Sequence, residues 1–376
     1  MWPLYAAGFT TAFGAHGIAA NLGAGDKGLE RSVLYLGLLL ALYDGAEVAL
    51  KPVFGTIADR VGARPVLLGG LIAFAASSAV FVAVRDPGWL WAARLGQGAA
   101  ASAFSPAASA LVARLNPRAG HGRAFGSYGF FKSIGYTAGP LLGGALVWAG
   151  GLTVLFAVLM VLAAAVAVWS ALTVPAVPPL PKSRQTLLGL ARRLSDGTFL
   201  RPVAALAAAT AALSVGVGFL PLSGAADGLP PPATGAAVSA LAACAALVQP
   251  WAGRALDDGR LTARAGMAAG LALTACGLTV ALLPGVAGML TAAVLIGAGT
   301  GLITPLGFAA LAAVTPQERM GQTMGAAELV RELGDAGGPL LVAAVASAAA
   351  LGWGYAALAL VVALVSLLLS AGRPRG

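Results

Sequence analysis

Long apolar runs separated by short polar breaks dominate this chain, and they predict helices rather than strands. Twelve runs can be marked, at 3–24, 33–57, 65–84, 88–114, 122–149, 152–173, 202–222, 233–256, 264–283, 286–314, 321–348 and 351–371. A helix needs roughly 20 apolar residues to span a bilayer, and most of the runs meet that length. The strict alternation of a β-barrel strand is absent, and the runs are too long for it. The expected fold class is an all-α integral membrane protein with twelve transmembrane helices in two six-helix halves.

One run differs from the rest. Residues 126–144 contain Gly126, Gly135, Gly139, Pro140, Gly143 and Gly144. Gly135, Gly139 and Gly143 are spaced by four and share one helix face. In a water-exposed helix each glycine would cost ~0.8–1 kcal/mol against alanine. In lipid a small-residue face lets another helix backbone approach closely, and proline is tolerated. The ladder returns 199 residues later as Gly325, Gly334, Gly338 and Pro339. Gly55 and Asp59 reappear as Gly253 and Asp257, Pro106 as Pro305, Pro117 as Pro316, and Lys132 as Arg331. A correspondence sustained over several runs indicates duplication. Six spans bring the chain back to the same side, so the copies are expected as parallel repeats, with a site between them near the midplane. The predicted division is a first half at 1–173, a linker at 174–201 and a second half at 202–376.

Composition agrees with the pattern. Hydrophobic residues make up 59% of the chain and charged residues only 10%, against roughly 25% in soluble proteins. The net charge of +9 reflects basic residues gathered in short loops, not a nucleic-acid partner. With the N-terminus inside, the inward loops hold Arg60, Arg64, Arg114, Arg118, Arg123, Lys182, Arg184, Arg192, Arg193, Arg201, Arg254, Arg260, Arg264, Arg319, Arg373 and Arg375, and the outward loops only Lys27, Arg31 and Arg85. This bias places both termini in the cytoplasm of a cell-membrane protein. The first run has no basic leader region, so no cleavable signal is expected. The linker opens as a proline-rich segment and continues with basic residues around Leu187, Leu188, Leu190 and Leu194. It is read either as an amphipathic helix on an anionic leaflet or as a solvated connection. Cys244 and Cys276 lie in different runs and are read as packing residues.

The polar breaks carry signatures. Gly55-Thr-Ile-Ala-Asp59-Arg60-Val-Gly62-Ala-Arg64 resembles the loop signature between the second and third helices of the major facilitator superfamily, with Ala63 where the family often has a basic residue. A degenerate copy runs from Gly253 through Asp257 and Asp258 to Arg260. Glycines allow a sharp turn at the lipid surface. An aspartate there can accept backbone N–H groups or pair with arginine. The resemblance implies a conformational latch formed by Gly55, Asp59, Arg60, Gly62, Arg64 and Asp257. Arg94 followed by Gln97-Gly98 resembles the fourth-helix signature, in which the arginine takes part in proton transfer. The glycine ladder at 126–144 resembles the fifth-helix signature of drug:proton antiporters in the same superfamily, which implies export.

Two sets of ionisable residues lie deep in apolar runs. Asp44, Glu47 and Lys51 share a face of the second span, at depths from ~22 to ~12 Å. Glu328, Arg331, Glu332 and Asp335 share a face of the eleventh span. Each ion would cost at least ~2.5–3.5 kcal/mol facing lipid. They are expected to face the interior, where Asp44, Glu47, Arg94, Glu328, Glu332 and Asp335 are proton-coupling candidates and Lys51, Lys132 and Arg331 their charge partners. Static pairs joining the halves are the other reading. The resemblance also implies a central cavity lined by the first, fourth, seventh and tenth helices. Its candidates are Phe13, His16, Asn21, Gln97, Phe104, Ser105, Thr210, Ser214, Thr300 and Thr304.

No nucleotide-binding loop, metal-ligand cluster or nucleophile elbow is visible. No enzyme activity, cofactor or metal is therefore expected. The expected function is secondary active transport by alternating access: proton-coupled efflux of small amphipathic molecules, drug-like compounds or metabolites. Import or facilitated passage of a polar or anionic metabolite is the alternative. The expected partners are a small-molecule substrate, protons and the lipid bilayer. The protein is expected to be a monomer.

Overall fold

The computed structural model describes residues 1–21, 33–84, 89–177 and 196–371. Lys27, Arg31, Arg85, Lys182, Arg184, Arg192, Arg193, Arg373 and Arg375 lie outside the described residues, as does the expected amphipathic segment of the linker. No strand occurs among the described residues. The helices are α1 Trp2–Ala19, α2 Val33–Val61, α3 Ala63–Val84 and α4 Leu90–Arg114. The helical stretch His121–Thr173 is broken at Gly150 and Gly151, giving α5 at 121–149 and α6 at 152–173. There follow α7 Gly197–Ala226, α8 Pro231–Asp257, α9 Ala263–Val280, α10 Gly285–Val314, α11 Met320–Ala348 and α12 Leu351–Ala371. The break is local chemistry: Gly151 has φ +71°, a left-handed conformation that residues with a Cβ adopt only with strain.

Two boundaries differ from the sequence reading. The latch sequence is not a loop, because α2 continues through Asp59 and Arg60 to Val61. The turn is left to Gly62 alone, at φ +103°, and α3 starts at Ala63. At the far side of the linker, α7 begins at Gly197, where the Asp196 carboxylate caps the helix by accepting from Thr198 N at 2.9 Å. An acidic N-cap satisfies an N–H that the helix leaves open.

The chain forms two compact units. Unit 1 comprises Met1–Asn116, Phe131–Ser183 and Thr315–Leu329; unit 2 comprises Pro117–Phe130, Arg184–Val314 and Val330–Gly376. Thus α5 and α11 are each shared: the first turns of α11 pack with α1–α4, and the first turns of α5 pack with α7–α10. In unit 1, α4 lies against α2 and α3 around buried Leu67, Leu71, Phe74 and Phe104. A Cβ at Gly98 would meet Tyr43 Cα at 2.9 Å, so glycine sets how closely α4 approaches α2. Unit 2 repeats this within itself. Gly301 would carry a Cβ to 2.7 Å from Ala245 O, and Gly297 abuts Leu241 O. Leu241, Leu271, Ile296 and Ile303 fill its core.

The outer surface is apolar, with Trp148 90% and Leu172 79% exposed. Such side chains need lipid rather than water around them. Seven helical stretches among the described residues are long and apolar enough to cross a membrane. The helix α11 is not among them, because Glu328, Arg331, Glu332 and Asp335 bring four charges into it.

Candidate functional site

At one end of α2 in unit 1, Asp59 reaches the start of α11. Its Oδ1 accepts from Gly321 N at 2.7 Å and its Oδ2 from Gln322 N at 2.8 Å. The first N–H groups of a helix have no internal partner and carry the positive end of its dipole, so a carboxylate is the natural ligand. Closeness is required: a Cβ at Gly321 would meet Asp59 Oδ1 at 2.9 Å, and one at Gly55 would meet Gly321 O at 2.5 Å. Unit 2 builds the same contact from the degenerate copy. Asp257 accepts from Gly122 N and Arg123 N, both at 2.8 Å. Here Arg123 also pairs with Asp258. The targets Gly122-Arg123 and Gly321-Gln322 went unnoticed in the sequence, although they are repeat-equivalent at an offset of 199.

Arg64 donates to Ala171 O at 2.6 Å, closing the last turn of α6. Arg264 does the same for α12 through Leu369 O at 2.7 Å. Helix C-terminal carbonyls lack internal partners, and arginine supplies both donors and complementary charge. Arg60 is exposed at the end of α2.

The glycine ladder is a close-contact face. In unit 1 a Cβ at Gly135 would meet Phe9 O at 2.6 Å, one at Gly139 would meet Gly17 N at 2.9 Å, and one at Gly143 would meet Gly17 O at 2.8 Å. Gly135–Gly143 therefore seat α5 on α1. Asn21 fastens the joint by donating to Pro140 O at 3.2 Å; Gly144 abuts the same Asn21. In unit 2 the echo seats α11 on α7, with Gly338 against Ala211 O at 2.6 Å. Gly126 belongs to a different contact, against Gln249 O of α8 at 2.6 Å.

The ionisable residues are mostly buried: Glu328 is 0% exposed, Lys51 and Arg94 1%, Glu47 5%, Lys132 6% and Arg331 8%. On α2, Lys51 Nζ donates to Glu47 Oε2 at 3.0 Å, and Tyr43 Oη to Glu47 Oε1 at 3.4 Å. The Arg94 guanidinium lies over the Tyr43 ring at 4.3 Å, and Asp44 and Glu47 both act on its charge. Across helices, Lys132 Nζ of α5 donates to Glu328 Oε2 of α11 at 3.4 Å, and Ser109 Oγ of α4 to Glu328 Oε1 at 3.5 Å. Arg331, in unit 2, stands over Phe308 at 5.8 Å, and Phe308 stacks on Phe125 at 5.6 Å. Asp44 is exposed, and Glu332 and Asp335 are half-buried. Tyr43 and Phe125 were not singled out from sequence; Ser109 was read as cavity lining, not as a partner of Glu328.

The cavity candidates divide between the units: Phe13, His16, Asn21, Gln97, Phe104 and Ser105 belong to unit 1, and Thr210, Ser214, Thr300 and Thr304 to unit 2. Gln97 Nε2 donates to Ser78 Oγ at 2.9 Å, and Phe104 packs edge-on against Phe74, so both join α4 to α3. His16 meets Tyr136 edge-on at 4.4 Å, and Phe13 stacks on Phe9. Thr210, Thr300 and Thr304 turn back on carbonyls of their own helices. Ser214 is half-buried and Ser105 buried. Among the described residues no group of side chains suited to a metal ion occurs.

The family model described as Major Facilitator Superfamily matches residues 4–227 and again 203–375. The multidrug resistance protein MdtH of Edwardsiella ictaluri is 31% identical over 183 residues, covering 46% of this chain and 43% of the relative. The quinolone resistance protein NorA of Staphylococcus aureus is 30% identical over 119 residues, covering 32% of this chain and 30% of the relative. The matched stretches span less than half the length of these curated relatives. The crystal structure of the major facilitator transporter FucP in its outward conformation superposes with a TM-score of 0.81 at 12% identity, covering 98% of this chain and 97% of that one.

Proposed function

This chain belongs to the major facilitator superfamily, and from that premise we propose that it exports small amphipathic molecules in exchange for protons. It works in the cell membrane as a monomer, with both termini in the cytoplasm. The halves 1–173 and 202–376 form the two transport repeats. The observation that carries the coupling is the buried Lys132–Glu328 pair, which joins a first-half helix to a second-half helix. The multidrug and quinolone resistance proteins among the relatives support export, as does the ladder of α5 seated on α1.

The steps follow from the contacts. The two carboxylate latches, Asp59 on α11 and Asp257 on α5, each tie one half of the chain to a helix start of the other. A change of state at this end requires each carboxylate to give up its two backbone donors. Protonating a buried acid removes an ion-pair attraction that low dielectric makes strong. It thereby shifts the balance between the two states.

Import of an anionic metabolite would use a cation in the cavity. Arg331, over the Phe308 ring, is the feature that favours that reading. The experiment that separates them uses inside-out vesicles carrying a proton gradient and a panel of cationic dyes, antibiotics and metabolites. Export by exchange predicts that at least one amphipathic compound discharges the gradient. A panel that leaves it intact, together with binding of an anionic metabolite, would overturn the proposal.

A further inference from the structure

We propose that Glu328 is the group that exchanges the proton, approached through Ser109 and balanced by Lys132, along a polar seam between α2 and α4 that unit 2 lacks. The proposal rests on the proton-coupled reading above.

The seam follows from helix geometry. Arg94, Ser102, Ser105 and Ser109 advance along one face of α4, and all are buried. Tyr43, Glu47 and Lys51 do the same on the facing side of α2 and are also buried. Arg94 over Tyr43 and the Glu47–Lys51 pair occupy one part of it; Ser109 reaches Glu328 at its end. Between them, the Ser105 hydroxyl is buried with no hydrogen-bond partner among the described residues. From Arg94 to Ser109 the helix rises ~22 Å, most of a hydrocarbon core of ~30 Å.

Unit 2 is an internal control. Its backbone contacts are the same: Gly126 against Gln249 O at 2.6 Å matches Gly325 against Lys51 O at 2.7 Å. Its side chains are not. Leu241 stands for Tyr43, Ala245 for Glu47, Ala293 for Arg94, Phe308 for Ser109 and Gly129 for Glu328. Packing in this frame therefore needs no charge, and each intramembrane ion costs ~2.5–3.5 kcal/mol or more when unmatched. Unit 1 keeps its ions for something other than holding helices together.

Among the acids, geometry selects Glu328. Glu47 and Lys51 sit four apart on one helix, so rigid helix motion cannot separate them. Glu328 takes donors from α4 and α5, and a shift of α11 changes both. The charged groups around it are Lys132 on α5, Glu47 and Lys51 on the α2 segment packed against this turn, and Arg331 and Glu332 within the next turn of α11. In the exchange a proton from water on one side binds the Glu328 carboxylate, and Lys132 keeps its own charge but loses its counter-ion. After the helices move, the acid returns that proton to water on the other side, and the pair re-forms.

Two measurements on the full chain in proteoliposomes test this. The first is the buried carboxylic-acid band in infrared difference spectra across a pH titration. Glu328→Gln should abolish a component of that band, Ser109→Ala should shift its midpoint, and Asp44→Asn should leave it in place. The second is ethidium movement. Glu328→Gln should keep gradient-free ethidium exchange yet lose accumulation driven by a pH gradient by about ten-fold or more. Because Glu328→Gln strands Lys132, the double variant Glu328→Gln with Lys132→Met serves as the folding control and should behave alike. A titrating band that survives in both variants, or gradient-driven accumulation that the double variant restores, would make Glu328–Lys132 a structural staple and overturn the proposal. Failure of the wild type to couple ethidium to protons, with the Glu328 band present, would instead strike the exporter reading.

Discussion

Asp59 and Asp257 are repeat-equivalent carboxylates with the same task and different surroundings. Each accepts two backbone N–H groups at a helix start; Arg114 acts on Asp59 in the first latch, and Arg123 pairs with Asp258 beside the second. Charge-assisted hydrogen bonds contribute about 1.5–3 kcal/mol each, so amide substitution should destabilise both. Asp59→Asn and Asp257→Asn should each lower the thermal unfolding midpoint in detergent, and Asp258→Asn, which removes only the exposed pair with Arg123, should lower it less. A midpoint that neither Asp59→Asn nor Asp257→Asn moves would contradict the latches. The aspartates were legible in the sequence through their glycine-bracketed signature. The use of Arg64 was not, because its partner is a carbonyl of α6 that any residue could supply. Lys132 and Glu328 each stood out as deep charges, but their pairing depends on α4, α5 and α11 meeting, which no local spacing encodes.

The helices themselves were largely readable, because apolar runs of spanning length leave few alternatives. What the runs could not give was where polar residues stay helical. The Asp59–Val61 turn looks like a loop by composition, yet the N–H donors of α11 and the hinge at Gly62 keep it in α2. The ladder of α5 was legible as a close-contact face, and its partner α1 was not, since a glycine face names no neighbour. Gly139→Leu should force α1 away and destabilise the fold by roughly 1–3 kcal/mol, as overpacking does. Gly337, on α11, has open space around it, so Gly337→Ala should be neutral or slightly stabilising. Unfolding midpoints of the two variants would check this, and a tolerated Gly139→Leu would contradict the close seating of α5 on α1. Gly126 belongs to another joint, with α8, so one signature serves two contacts in two units.

Across the molecule, duplication supplied two similar frames and divergence gave them different interiors. Unit 1 carries the Arg94, Glu47–Lys51 and Lys132–Glu328 charges; at the equivalent positions of unit 2 stand Ala293, Ala245, Gln249 and Gly129, with Arg331 in the place of Lys132. The sequence showed this asymmetry in outline, because Glu328 faces Gly129 in the repeat alignment. It did not show that Asp44 is exposed, nor that Gln97 and Phe104 tie α4 to α3. Those outcomes depend on helix rotation within a bundle, which periodicity leaves undetermined when nearly every face is apolar. The proposed division of labour makes the direction of coupling the decisive property. It is measured most directly by ethidium accumulation in proteoliposomes of the wild-type chain under imposed pH gradients of either sign. Proton exchange predicts accumulation into an acidic lumen, simple equilibration without a gradient, and none against a reversed one. Accumulation into an alkaline lumen, or equilibration that ignores the gradient, would contradict it.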